Sequence, residues 1–198
     1  EIAEIAKALR PSGLAYHTHT RDQMLGFLDG VKEAIEITAQ AECPLVISHM
    51  YPASQLVWGQ SADALELLDS ARARGQDVGY DVTPWPRGGG PMSQMLSEWA
   101  REGGLDATLE RLSDDETRAR IALELDARKA QPTDWTDYLV VNTSSKRNTP
   151  WLGRSIDEIA RERGEGGAET AASILFEDDA GVWVAPTIKR DDDVDALM

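Results

Sequence analysis

The stretch Tyr16-His17-Thr18-His19-Thr20-Arg21, "YHTHTR", sits where a short apolar run meets a helix-like segment, and it holds two of the chain's three histidines. The third, His49, closes a second apolar run, "CPLVISHM" (43–50). Three readings are open: metal ligands, a catalytic pair, or polar residues that end strands. The flanking segments narrow them. "GLAYHT" (13–18) reads as a strand. "DQMLGFLDGVKEAIEITAQA" (22–41) reads as an amphipathic helix with Leu25, Leu28, Val31, Ile35 and Thr38 near one face. "PLVISHM" (44–50) is a continuous apolar strand of the fully buried type. "SADALELLDSARARG" (61–75) is a second helix, with Ser61 as its cap and Gly75 past its end. "DVGYDVTPW" (77–85) is a third strand.

Strands that alternate with helical crossovers predict a parallel sheet with helices packed outside it. Ligands of such sheets bind beyond the carboxyl ends of the strands. His17 and His19 end the first strand, His49 ends the second, and Asp81, Thr83 and Trp85 end the third. All three histidines therefore converge on one rim. Residues two apart on a strand share a face, which places the imidazoles of His17 and His19 about 7 Å apart. A Ser48–His49 nucleophile pair is excluded at this stage because adjacent strand residues point to opposite faces and no G-x-S-x-G elbow is present. "RGGG" (87–90) lacks the G-K-[ST] ending of a phosphate loop.

Downstream, "PRGGGPMSQML" (86–96) leads into a mainly helical region from about Met92 to Lys129, and "DYLVVNT" (137–143) resumes the strand pattern. Ser155 and Glu158 have the spacing of a capping box, a helix follows around Ala168 to Leu175, and "GVWVAPTI" (181–188) is a strand.

The formal charge of -15 argues against a nucleic-acid surface, which needs clustered Lys and Arg. The acidity lies on helical faces such as "SDDETRARIALELDARK" (113–129), where it serves solubility. A single cysteine, Cys43, excludes an intrachain disulfide and is expected to be a small apolar filler. No run approaches the roughly 18 apolar residues of a membrane span. No membrane partner is expected, and localisation is left open by the sequence, with the cytoplasm as the default. Both ends fall inside helix-like patterns, "EIAEIAKALR" (1–10) and "DDDVDALM" (191–198), so the chain is expected to be part of a longer polypeptide.

"AYHTHTRDQ" (15–23), "PLVISHM" thirty residues beyond His19, and "DVGYDVTPW" together resemble the D-aminoacylases, or N-acyl-D-amino-acid deacylases, of the amidohydrolase superfamily. "RLSDDETRARI" (111–121), "GRSIDEIARERG" (153–164) and "DDDVDALM" are similar to that family's later segments, in the same order. The resemblance implies an α/β fold: residues 1–198 as the C-terminal part of a (β/α)8 TIM barrel. A helical insertion or lid over about residues 90–130 would follow the third strand. It implies zinc as cofactor, with His19 and His49 as ligands from the fifth and sixth barrel strands and further ligands upstream of Glu1. His17 falls where the family has a variable small residue and is expected to support a metal-bound histidine from the rim. The general-base Asp would lie beyond Met198, so the 198 residues alone are expected to be inactive.

Some positions depart from the family. Tyr51 stands where the family has a substrate-facing Lys, and Thr83 where it has a Tyr. A site that grips a free carboxylate needs such donors and cations. Tyr51, Thr83, Arg21 and Arg87 are therefore the candidate substrate-binding residues, the two arginines as substitute cations. The implied reaction is metal-dependent hydrolysis of an amide in a small acylated amino acid. A cyclic amidase of the hydantoinase or dihydroorotase kind and a degenerate, non-catalytic binding domain are the alternatives.

Overall fold

The computed structural model describes residues 1–127 and 134–198 and is α/β. It consists of two units, Glu1–Pro86 with Ile188–Met198, and Arg87–Thr187. The first unit opens with α1 (Ile2–Ala6) and a 3-10 turn through Ser12, then runs β1 (Tyr16–His19), α2 (Phe27–Ala41), β2 (Leu45–Ser48), α3 (Ser61–Ala73) and β3 (Val78–Tyr80). The second unit contains β4 (Gly90–Pro91), α4 (Glu98–Arg101), α5 (Gly104–Ser113), α6 (Asp115–Asp126), β5 (Leu139–Asn142), α7 (Ile156–Arg163), α8 (Gly167–Glu177) and β6 (Trp183–Ala185). The chain then returns to the first unit for α9 (Asp191–Leu197).

In the first unit β1, β2 and β3 form a parallel sheet in sequence order, as the alternating pattern predicts. Tyr16 pairs with Leu45 and Leu45 with Val78, while Thr18 pairs with Ile47 and Ile47 with Tyr80. Pairing in register puts these six side chains on one face of the sheet. That face is apolar because helices cover it. Leu45, Ile47 and Val78 are buried in one cluster with Phe27, Val31 and Ile35 of α2 and Ala64, Leu68 and Ala71 of α3. The helical members recur every three or four residues, the spacing that keeps one stripe on the sheet. Full burial of a side chain such as Phe27, Ile47 or Leu68 contributes about 1.5–3 kcal/mol. The opposite face carries His17, His19, Val46 and Ser48, none of them buried.

Two local expectations change for identifiable reasons. The helix expected from residue 22 begins at Phe27, because the Asp22 carboxylate accepts the backbone N–H groups of Met24 (2.6 Å) and Gly26 (3.0 Å) and holds a turn there. Leu25 lies in that turn and is exposed rather than packed. Ser61 does not cap α3 with its side chain. The buried carboxylate of Asp193, at the start of α9, does that work instead. Its oxygens accept Gly59 N–H at 2.8 and 3.0 Å and Ser61 N–H at 3.4 Å. Asp193→Ala leaves these donors without a partner, and equilibrium denaturation should show a loss of about 1–3 kcal/mol. Trp58 Nε1 donating to Ile188 O (3.1 Å) and Tyr80 Oη donating to Leu197 O (2.9 Å) fasten the same terminal segment.

The second unit has its own antiparallel sheet, in the order β4-β6-β5, and its own core, with Leu112, Ile121, Leu125, Ile156, Ile174 and Val182 among its buried members. The stretch expected as a helical insertion, about residues 90–130, carries α4, α5 and α6, and its residues 128–130 lie outside the described residues. The capping box is present in both directions: Glu158 N–H donates to Ser155 Oγ at 3.1 Å, and Ser155 N–H to Glu158 Oε2 at 2.8 Å. The helix expected around Ala168 to Leu175 is α8. Among the described residues no helix is long and apolar enough to cross a membrane.

Candidate active site

β2 stops at Ser48 because His49 adopts a left-handed conformation, φ 52°. This breaks the alternation that would send Ser48 and His49 to opposite faces. His49 turns back over the carboxyl ends of the strands, and its ring meets that of His19 edge to face, with centroids 5.1 Å apart. A left-handed residue with a Cβ is costly unless its surroundings hold it. Here both peptide groups of His49 are held. Its N–H donates to Asp81 Oδ1 at 2.7 Å, and its carbonyl accepts from the Gln23 side chain.

Asp81 ties the rim together. Its Oδ2 accepts from Ser48 Oγ at 3.1 Å and lies 3.6 Å from His17 Nε2, and its Oδ1 lies 3.9 Å from His49 Nε2. The His49 backbone N–H, followed by the Ser48 hydroxyl and the neighbouring histidines, holds the Asp81 carboxyl below its ordinary pKa, against a smaller opposing effect of burial. Ser48 Oγ is also 2.6 Å from His17 Nε2. Ser48 has one hydrogen and gives it to Asp81, so His17 Nε2 donates to Ser48. A nitrogen that donates to the serine cannot take the serine's proton. The Ser–His–Asp grouping is therefore not a nucleophilic triad.

His19 and His49 suit a shared cation in their spacing. Two imidazoles bound to one zinc at about 2.0–2.1 Å in tetrahedral arrangement have ring centroids about 5 Å apart. Among the described residues no group of three or more His, Cys, Asp or Glu side chains that could hold a metal ion is found.

The candidate substrate-binding residues divide. Tyr51 and Thr83 come together through a third residue, Lys189. The ammonium of Lys189 lies 4.3 Å from the centroid of the Tyr51 ring and donates to Thr83 O at 2.8 Å and to the Thr83 hydroxyl. Burial lowers the Lys189 pKa to about 8 and raises that of the Tyr51 phenol. Arg21 is engaged elsewhere, donating Nε and Nη2 to the two carboxylate oxygens of Glu33 of α2, at 2.8 and 2.7 Å. Arg87 belongs to the second unit, where it pairs with Asp137 (2.9 Å) and donates to the carbonyls of Asp137 and Ala185. Neither arginine presents a free fork in the way the sequence reading expected.

Sequence reasoning missed the roles of Asp81, Gln23 and Lys189. Asp81 had one visible signal, a carboxylate at the carboxyl end of a strand. Lys189, in "TIKRDDD" (187–193), gave none, since a lysine beside aspartates reads as surface.

No family model matches the chain. Over 98 residues, half of the chain, it is 35% identical to D-aminoacylase of Alcaligenes xylosoxydans xylosoxydans. Over 89 residues it is 33% identical to N-acyl-D-glutamate deacylase of the same organism. These matches cover 19% and 18% of the relatives, so the chain spans about a fifth of their length. Among solved structures, N-acyl-D-glutamate deacylase from Bordetella bronchiseptica, complexed with zinc and a phosphonate mimic of the tetrahedral intermediate, superposes with a TM-score of 0.66 at 19% identity. All of this chain and 33% of that one are covered. A D-aminoacylase that defines a subset of amidohydrolases gives 0.60 at 23% identity, over 98% of this chain and 32% of that one. The chain is therefore a relative of the D-aminoacylases and N-acyl-D-amino-acid deacylases, sharing sequence with them over half its length and a fold over nearly all of it.

Proposed function

We propose that the full protein hydrolyses the amide bond of N-acyl-D-amino acids and that His19 and His49 are two of its zinc ligands. In this reading β1, β2 and β3 with their helices are a sector of a (β/α)8 barrel, and the polar face bearing His17, His19 and Ser48 looks into it. The observation that carries the reading is the 5.1 Å approach of the His19 and His49 rings at the carboxyl ends of adjacent parallel strands. Bound zinc supplies Lewis acidity towards the amide carbonyl and the attacking water. The residues of this chain hold and orient. Asp81 and Gln23 fix the His49 main chain, and the same Asp81 carboxylate restrains Ser48 and, through it, His17. Tyr51 and Thr83, two residues past His49 and Asp81, are the residues of this chain we assign to the remainder of the substrate.

The test is an assay of the purified full protein, with its metal content determined, on N-acetyl-D-amino acids, their L enantiomers and hydantoins. Zinc-dependent turnover that favours the D series by more than about tenfold is the expected result. Turnover of hydantoins alone would replace this reading by the cyclic-amidase one. Absence of both zinc and turnover would leave the binding-domain alternative.

A further inference from the structure

Lys189 is completely buried, yet its partners among the described residues are all neutral: the carbonyl and hydroxyl of Thr83 and the face of the Tyr51 ring. Burying an ammonium is unfavourable unless opposite charge or good acceptors compensate it. One carbonyl, one hydroxyl and one aromatic face do so in part and leave net positive charge behind Thr83.

The direction of the Thr83 bond matters. An ammonium only donates, so Thr83 Oγ1 must accept from Lys189 Nζ. A hydroxyl has one hydrogen, and none of the hydrogen bonds among the described residues uses that of Thr83. With one lone pair occupied by Lys189, the hydroxyl hydrogen turns away from the buried cation. The outcome is an O–H donor confined to directions away from the ammonium, with a positive charge behind it, the arrangement that complements an anion. Thr83 lies two residues past Asp81, and Tyr51 two past His49, so both stand at the strand ends that carry the histidine cluster. Two residues span at most about 7 Å.

We propose that Lys189 is a positioning residue for anion recognition: it fixes the Thr83 hydroxyl as a donor, and that hydroxyl binds the carboxylate of the substrate. The identity of the anion as an acylated amino acid's carboxylate rests on the deacylase reading; the donor geometry does not. Lys189 touches no substrate in this scheme and acts through Thr83.

The experiment measures binding of N-methanesulfonyl-D-alanine, whose sulfonamide resists amide hydrolysis, and of its neutral carboxamide, to the full protein by calorimetry. The native protein should prefer the carboxylate by at least about tenfold. Thr83→Val and Lys189→Met should each weaken carboxylate binding by about 10- to 100-fold and carboxamide binding, whose oxygen is a weaker acceptor, by clearly less. Thr83→Ser should keep the preference. The double variant should be no worse than Thr83→Val alone, because both changes break one unit. Unaltered preference in a folded Thr83→Val protein overturns the proposal. So does an equal loss for both ligands in Lys189→Met, which is what a merely structural lysine would give. If Lys189→Met does not fold, the Val and Ser variants at Thr83 decide alone. Turnover of N-acetyl-D-alanine is followed in parallel. A Thr83-dependent carboxylate preference without turnover removes the deacylase reading and keeps the anion site. Turnover without the preference does the reverse.

Discussion

Replacing either His19 or His49 by alanine in the full protein is expected to remove its zinc and to lower amide hydrolysis by at least about a thousandfold, with the fold retained. The size follows from the several kcal/mol of charge stabilisation that a catalytic metal provides, each 1.36 kcal/mol being tenfold in rate. Metal analysis of the purified variants, beside their rates, is the measurement. Retained stoichiometric zinc in His19→Ala would remove His19 from the ligand set. Position 49 allows a second separation. His49 is left-handed at φ 52°, a conformation that Ala adopts at a cost and Gly without one. His49→Gly should therefore be about 1 kcal/mol more stable than His49→Ala in urea denaturation. The two variants should be equally inactive. A rate restored by Gly but not by Ala would mean that backbone shape, and not the imidazole, is what the site uses.

Asp81→Ala should lower zinc affinity or kcat/KM by about 10- to 100-fold, the usual effect of losing a group that orients a metal-bound histidine. Asp81 holds the N–H of His49 at 2.7 Å and the hydroxyl of Ser48 at 3.1 Å, so its removal frees the turn that brings the His49 ring to His19. Asp81→Asn should fall between wild type and Ala. An amide oxygen can still accept from His49, but the amide nitrogen cannot accept from Ser48. Zinc titration of both variants checks the order. Full metal affinity in Asp81→Ala would mean that Gln23 alone suffices to hold His49.

The sheet of the first unit was legible because its signals are local. Leu45, Ile47 and Val78 face helices whose apolar residues recur at three and four, and strand order followed chain order. The rim position of the histidines followed from the same pattern. What was not legible depended on single side chains acting over distance or on one backbone angle. Nothing in "ISHM" announces a left-handed His49, so the alternation rule separated Ser48 from a histidine that in fact returns to the same rim. Arg21 and Arg87 looked available because charged residues reveal their partners only in three dimensions. Glu33 lies twelve residues from Arg21, and Asp137 lies fifty from Arg87. Lys189 reaches Thr83 across 106 residues, beyond any window in which a pattern is read.

The hold of Asp193 on residues 59 to 61 gives the first unit an order of assembly on the ribosome. Synthesis runs from the amino terminus, and domains tend to fold as they emerge. Here the strands and helices through Pro86 emerge first, but the groups that satisfy Gly59, Trp58 and Tyr80 are made only after residues 87–187 have been added. Until then Trp58, Gly59 and Tyr80 lack these partners, although α2 and α3 already have the sheet face they cover. Completion of the first unit therefore waits on residues 188–198, although its three strands were all finished earlier.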